Sequence, residues 1–122
     1  MRRFALAIRR ESVAGSRWFI TLNSVNPPWN SAPVLVASTW IERWVGVRGM
    51  HHRVLLPTGA VHGRGVASPI RVVGIDLNGT VVAVQVLDPG RFLWMAGAAW
   101  VLEMPTDDDP PAVDMVLSIY PR

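Results

Sequence analysis

Short runs of apolar residues, separated by prolines and glycines, make up most of the chain. The sequence holds ten prolines and ten glycines in 122 residues. This spacing favours many short β-strands over long helices, because both residue types interrupt regular structure. The strands that the pattern predicts cover residues 4–8, 18–22, 34–37, 54–56, 60–62, 70–77, 80–87, 92–95, 98–103 and 113–120.

Two of these runs flank Asn78-Gly79, which is the clearest local signal in the sequence. Asn-Gly tolerates the two positive φ angles of a type I′ turn, so residues 70–87 are predicted to form a β-hairpin. Its second strand is apolar on both faces apart from Thr80 and Gln85, as in strands that lie in the middle of a sheet or in a closed barrel. A second hairpin is predicted around Ala96-Gly97.

One short helix interrupts this β pattern, over residues 39–48. Thr39 and Glu42 have the spacing of a capping box, in which each side chain accepts from a backbone N–H of the first helical turn. Gly46 and Gly49 end the helix early. The predicted fold is therefore mainly β, a small single-domain barrel or sandwich of antiparallel hairpins with one short α-helix.

Prolines and acidic residues divide the chain into three parts. Residues 1–32 form an N-terminal extension and residues 33–105 form the β domain. The proline-rich stretch 23–33, where the two parts meet, is predicted to be a loop or linker. Residues 106–122 begin with the acidic loop around Asp108 and continue into a candidate strand. Trp29 follows two prolines and is predicted to be exposed, as a contact surface through which the chain could form a homodimer.

Composition narrows the function. Half of the residues are apolar and 17% are charged, which excludes a disordered chain, and the absence of cysteine excludes thiolate chemistry. All 12 basic residues are arginine, but the net charge of +3 is modest and argues against nucleic acid as the partner. No segment is long enough to span a membrane, and Arg9 ends the N-terminal apolar run too early for a signal peptide, so a cytoplasmic location is expected.

A series of short motifs gives the chain a family resemblance. The motifs are Arg43 and Gly46 in the helix, Val61-His62, Pro69-Ile70-Arg71-Val72-Val73, Pro89-Gly90-Arg91 and Val101-Leu102-Glu103-Met104-Pro105. In this order, over residues 33–105, they resemble the bacterial and archaeal domain-of-unknown-function family 192. The resemblance implies a mainly β fold with a short helix, and no activity. Arg71 stands where the family has an aspartate.

The candidate site is a cleft near His62, Arg64 and Arg71. Arg71 alternates with Val73 and Ile75, so it is expected to point inward with them, and a buried arginine needs a carboxylate partner. Glu103 is the best candidate for that partner, and Arg43 is a rival for the same acid. The alternative is that Arg71 lies exposed at a sheet edge.

Catalytic and metal sites have little support. His51, His52 and His62, with Asp76, lack a recognised metal-ligand spacing, and adjacent histidines on a strand point to opposite faces. Ser68 does not lie in a Gly-x-Ser-x-Gly motif. No cofactor and no metal are expected.

The sequence therefore favours a non-enzymatic module that binds an unidentified ligand or protein partner in the cleft. One alternative is a hydrolase that uses His62 in the same cleft. Another is a structural accessory domain whose N-terminal extension mediates assembly.

Overall fold

The computed structural model describes residues 19–25, 27–36, 53–62 and 68–121, and these residues form a mainly β fold. The described residues contain no helix, and the predicted helix at 39–48 lies outside them. The strands are β1 (Phe19–Val25), β2 (Pro28–Asn30), β3 (Val34–Val36), β4 (Arg53–Leu56), β5 (Ala60–His62), β6 (Ile70–Ile75), β7 (Val81–Leu87), β8 (Phe92–Trp94), β9 (Trp100–Met104) and β10 (Ser118–Pro121).

Eight of these strands form one sheet, with β5 and β8 forming a separate two-stranded ribbon. The order across the large sheet is β10-β1-β3-β4-β9-β6-β7, and β2 pairs with β1. The β3–β4 pair is parallel and the other strand pairs of the sheet are antiparallel. Residues 19–30, assigned from sequence to the N-terminal extension, thus supply two strands of this sheet.

The sheet curls into a half-barrel, because residues 114–117 connect its two ends. The Val81 N–H donates to the Met115 carbonyl at 2.8 Å, and Thr80 forms a bridge with Val116. The chain then continues into β10, which pairs with β1. The mainly β prediction is confirmed, in the form of a curled half-barrel sheet.

The inner face of the curl carries the larger apolar core. Successive side chains of a strand point to opposite faces, so alternate residues of β6 and β9 line this face. Its buried members come from both ends of the described chain: Ile20, Leu22, Trp29, Val34, Val36, Leu55, Val73, Ile75, Val81, Trp100, Leu102, Met104 and Leu117. All five residues of β9 are buried, because this strand lies between β4 and β6 with both of its faces covered.

The outer face carries a second core, which the β5–β8 ribbon covers. Val61 of β5 and Leu93 of β8 contact this cluster from the ribbon side. Its buried members are Val54, Leu56, Val61, Val72, Leu87, Met95 and Val101. Gly74 allows the chain after β8 to approach the sheet closely, since a Cβ there would lie 3.2 Å from the Ala98 Cβ.

The predicted hairpin at 70–87 is confirmed as β6–β7, but its turn is not type I′. Within this turn, Gly79 is the one residue with a positive φ, at 90°. The Gly79 N–H donates to the Asp76 carbonyl at 3.1 Å. This is a type I turn followed by a left-handed glycine, the usual three-residue hairpin loop. The Asp76 side chain selects it: Oδ1 accepts from the Asn78 and Thr80 N–H groups at 2.8 and 2.9 Å.

The predicted hairpin around Ala96-Gly97 is wrong. β8 pairs with β5, while β9 pairs with β4 and β6. A turn closed by the Ala98 N–H on the Met95 carbonyl, at 3.1 Å, carries the chain from the ribbon to the sheet. The physical reason is burial: all five residues of β9 are withdrawn from water in a central position, whereas β8 has two exposed aromatic residues.

The proline-rich stretch 23–33 is also not a linker. It holds the end of β1 and all of β2, with Val25 opposite Pro28. The Leu22 N–H donates to the Ser31 hydroxyl at 2.9 Å, and the Ser31 N–H returns a bond to the Leu22 carbonyl at 2.8 Å. Proline is compatible with this short strand, because a strand with only one partner does not need every N–H.

Candidate binding surface

The β5–β8 ribbon packs its apolar side on the sheet, and backbone hydrogen bonds close its end. The Met95 N–H donates to the Gly59 carbonyl at 2.8 Å. Thr58 stabilises the start of β5, since its hydroxyl donates to the Ala60 carbonyl and accepts from the Ala60 N–H, both at 3.1 Å. Because Val61 and Leu93 face the sheet, the residues that alternate with Leu93 on β8 face solvent.

Those alternating residues are Phe92 and Trp94, and both are exposed. Phe92 is 67% exposed and Trp94 is 69% exposed, in contrast to Trp100 of β9 in the large sheet, which is 6% exposed. Residues two apart on a strand lie about 7 Å from each other on the same face. The outward face of the ribbon is therefore a platform of two aromatic side chains, with Ala60 in register opposite Trp94. We call it the aromatic face.

The turn before β8 brings one charge of each sign next to the aromatic face. Asp88-Pro89-Gly90-Arg91 is closed by the Arg91 N–H on the Asp88 carbonyl at 3.1 Å, and Gly90 has a φ of 76°. This is a type II turn, with proline and glycine in their preferred positions. Asp88 and Arg91 are both exposed, so the charges at this end of the surface balance.

The three residues of the predicted cleft are not brought together by the described part of the chain. His62 ends β5 in register with Phe92, so its strand lies over the outer face of the sheet. Arg71, by alternation with Val73, lies on the inner face. Arg64 lies outside the described residues.

The predicted ion pair also needs correction. Arg71 is on the face of Val73, as expected, but Glu103 is on the opposite face with Val101 and lies in register between Val54 and Val72. Arg71 Nη2 donates instead to the Thr106 carbonyl at 3.2 Å. The sheet itself keeps Arg71 and Glu103 apart, since strand alternation directs them to opposite sides. The rival partner, Arg43, lies outside the described residues.

Glu103 is consequently a buried carboxyl in apolar surroundings. It is 5% exposed, and no described residue forms an ion pair or hydrogen bond with it. Burial raises the pKa of Glu103 to about 7, because the charged form loses hydration. A raised carboxyl pKa can mark a general acid. Glu103, however, lies in the interior strand of a sheet with valines on either side, so its shift follows from packing.

Three side chains from three strands hold the acidic loop around Asp108. Arg53 of β4 forms a two-point ion pair with Asp108, and Nη2 donates to Oδ1 at 2.7 Å. Arg71 of β6 donates to Thr106, and the Trp29 indole Nε1 of β2 donates to the Asp109 carbonyl at 2.9 Å. Trp29 is therefore 7% exposed and fixes the loop instead of forming the predicted contact surface.

The described part of the chain does not bring together the residues that were considered as metal ligands. His51 and His52 lie outside the described residues, and the side chain of Asp76 is used by its own turn. Within the described residues, no group of three histidine, aspartate or glutamate side chains is placed to hold a metal ion.

No helix among the described residues has the length and apolar character needed to cross a bilayer.

Comparison with known proteins found no matching family model, no matching curated protein and no matching solved structure. The resemblance to domain-of-unknown-function family 192 therefore stays a prediction. Function has to be argued from the surface itself.

Proposed function

We propose that this protein is a non-enzymatic binding module and that it contacts a protein partner through the aromatic face. The observation that carries the proposal is the exposure of two large aromatic side chains, Phe92 and Trp94, on one side of a ribbon that is fixed to the sheet. Apolar side chains of this size are normally withdrawn from water on folding. Their display on a rigid element is typical of a contact surface.

The composition of the surface favours a protein over a nucleic acid. Tryptophan and arginine are the residues most enriched among those that dominate binding energy in protein interfaces, and Trp94 and Arg91 lie at either end of β8. A nucleic-acid surface needs an excess of positive charge along the backbone path. Here the exposed Arg91 is balanced by the exposed Asp88 within one turn.

The position of the surface differs from that of the predicted cleft, but the class of function is the same. The aromatic face includes the register position of His62 and excludes Arg71. The hydrolase alternative, which depends on a cleft at His62, gains no support from the two exposed aromatic residues. The ribbon presents an exposed surface for contact.

The experiment is a titration in which the amide chemical shifts of the protein are followed by NMR. Phenol and a hexaproline peptide are the probes of an aromatic contact surface. A dT12 oligonucleotide tests the alternative that the surface binds nucleic acid. The expected result is that phenol and hexaproline shift amides of residues 60–62 and 91–94, and that Phe92→Ala with Trp94→Ala removes these shifts. Val113→Ala, at a 50% exposed apolar residue far along the chain, is the matched control and should change nothing. The proposal would be refuted if neither phenol nor hexaproline shifted the amides of the ribbon, or if dT12 were the one probe that shifted them.

A further inference from the structure

Among the described residues, the β7 strand forms an open edge of the large sheet. It pairs with β6 on one side, and on the other side only its beginning is occupied. There the Val81 carbonyl accepts from the Asp114 N–H at 2.8 Å, and the Val81 N–H donates to Met115. Beyond Val81, residues 82–87 have no partner strand on this side in the described part of the chain.

Apart from one register shift between Val81 and Ala83, this edge lacks the features that usually prevent strands from pairing between molecules. Natural edge strands are protected by charged residues, prolines, bulges or short length. The opposite end of the sheet follows this rule, since β10 has four residues and ends at Pro121. In contrast, β7 has seven residues, and none of them is charged or a proline. Its Val86 is 50% exposed, so an apolar side chain accompanies the unpaired backbone.

We infer that the chain forms a twofold-symmetric dimer in which β7 pairs antiparallel with β7 of a second copy. In such a pairing, residues directly opposite each other must lie on the same face of the continuous sheet. Ala83, Gln85 and Leu87 lie on the outer face, while Val84 and Val86 lie on the inner face. A twofold axis at Gln85 meets this requirement.

With the axis at Gln85, every opposing pair is compatible. Gln85 lies opposite its own copy, Val84 opposite Val86, and Ala83 opposite Leu87. No charges oppose each other, and β-branched residues across strands stabilise pairing. A second copy necessarily supplies an edge of the same length and the same alternation, which is the reason to prefer it over an unrelated strand.

The 114–117 segment sets the extent of the interface. It occupies the edge at Val81, so an incoming strand can pair only with the residues after it. Five paired residues on each side are far fewer than the roughly 20–30 residues a side of a standard interface, and we therefore expect a weak dimer with a dissociation constant in the micromolar range. The dimer is independent of the aromatic face, which lies on a different element.

The first test measures mass in solution by light scattering over a concentration series. The wild-type chain should approach twice 13.4 kDa as concentration rises. Gln85→Lys places two like charges at the axis and should weaken the dimer at least about tenfold. Gln85→Glu should do the same, and an equimolar mixture of the two variants should recover the dimer, because opposite charges then meet. Gln85 is exposed, so these variants should keep the wild-type melting temperature.

The second test uses the absence of cysteine in this chain. Opposing residues in an antiparallel pair have Cα atoms about 4.5–5.5 Å apart, which is the range of a disulfide. Gln85→Cys should therefore form a disulfide-linked dimer in a glutathione redox buffer. Asn78→Cys, exposed in the turn before β7, is the matched control and should stay largely monomeric.

Three results would overturn the inference. The wild-type chain could remain monomeric at about 0.5 mM, far above the micromolar range expected for an interface of this size. The Gln85→Lys variant could dimerise as well as the wild type, which would place the interface elsewhere. The Asn78→Cys control could cross-link as efficiently as Gln85→Cys. Substitution of Phe92 and Trp94 by alanine should leave the dimer intact, so failure here is distinguishable from failure of the proposed function.

Discussion

Arg53 and Asp108 form an ion pair that joins the start of β4 to the loop after β9, 55 residues further along the chain. Both nitrogens on one side of the guanidinium fork donate, Nε to Oδ2 and Nη2 to Oδ1. The side chains are about one-fifth exposed, so water screens the pair only in part. The hydrogen bond to Asp108 also raises the pKa of Arg53, which stays charged throughout the working pH range.

The Arg53→Lys variant should lower the free energy of unfolding by about 1 kcal/mol, because lysine cannot make the two-point contact. Urea denaturation in low salt measures this difference, and about 0.5 M NaCl should reduce it, since screening weakens a partly exposed pair. Asp88→Asn is the control, because Asp88 is exposed in a different turn and makes no ion pair in the described chain. Equal losses for the variant and the control would contradict the structure.

Trp29 is expected to contribute to stability rather than to association. Trp29→Phe keeps the aromatic packing and removes the indole bond to Asp109, so we expect a loss of about 1 kcal/mol. Trp29→Ala should cost about 3–5 kcal/mol, because it also opens the inner core. Thermal and urea unfolding measure both values. Trp94→Phe, at an exposed tryptophan, should leave the free energy of unfolding unchanged. A larger loss for Trp94→Phe than for Trp29→Phe would contradict the burial of the Trp29 indole.

Glu103 should make the stability of the protein depend on pH. Its folded-state pKa of about 7 lies above the ordinary value of 4.5, so the folded state binds the proton more tightly than the unfolded state. The free energy of unfolding should therefore fall as pH rises from 4.5 to about 7 and change little above that. The interval corresponds to about 3 kcal/mol.

The Glu103→Gln variant tests this directly, since its side chain is neutral at every pH. The variant and the wild type should have similar stability near pH 5, and the variant should be more stable at pH 8 by up to about 3 kcal/mol. Asp88→Asn, at an exposed carboxyl, should follow the wild-type curve. Parallel curves for Glu103→Gln and the wild type would show that the carboxyl is solvated or paired.

Asp76 is expected to stabilise the β6–β7 turn. Asp76→Ala removes the acceptor for two backbone N–H groups and should cost about 1–2 kcal/mol, whereas Asp76→Asn keeps an oxygen acceptor and should cost less. Leu77→Ala, at an exposed side chain in the same turn, is the control. If Asp76 were a metal ligand instead, divalent cations would raise the wild-type melting temperature, and Asp76→Ala would abolish that rise.

Local patterns predicted the strands better than they predicted the partners of those strands. The β6–β7 hairpin followed from two apolar runs around Asn78-Gly79, because a turn is coded by a few adjacent residues. The type of the turn did not follow from this pair, because the Asp76 side chain, two residues before Asn78, decides it. The pairing of β8 with β5 depends on which face each strand buries in the finished fold, and that is a property of distant residues.

In the candidate site, too, local patterns predicted single residues better than they predicted the partners of those residues. The inward direction of Arg71 could be predicted by alternation with Val73, whereas its separation from Glu103 depends on the register between β6 and β9. The aromatic face could not be predicted, because Phe92 and Trp94 look like core residues until β8 is known to leave the large sheet. Trp29 was misread for the opposite reason: prolines around it indicated a loop, while β1 supplied the partner strand.

The pairing of β1 with β10 has a consequence for synthesis. These strands come from the two ends of the described chain, and Thr21 lies opposite Tyr120. Contacts of such wide sequence separation form slowly, because the loop they close is long. A nascent chain on the ribosome cannot complete the half-barrel until residue 121 has left the exit tunnel, so the edge of β7 would be exposed alongside an unfinished sheet during that interval.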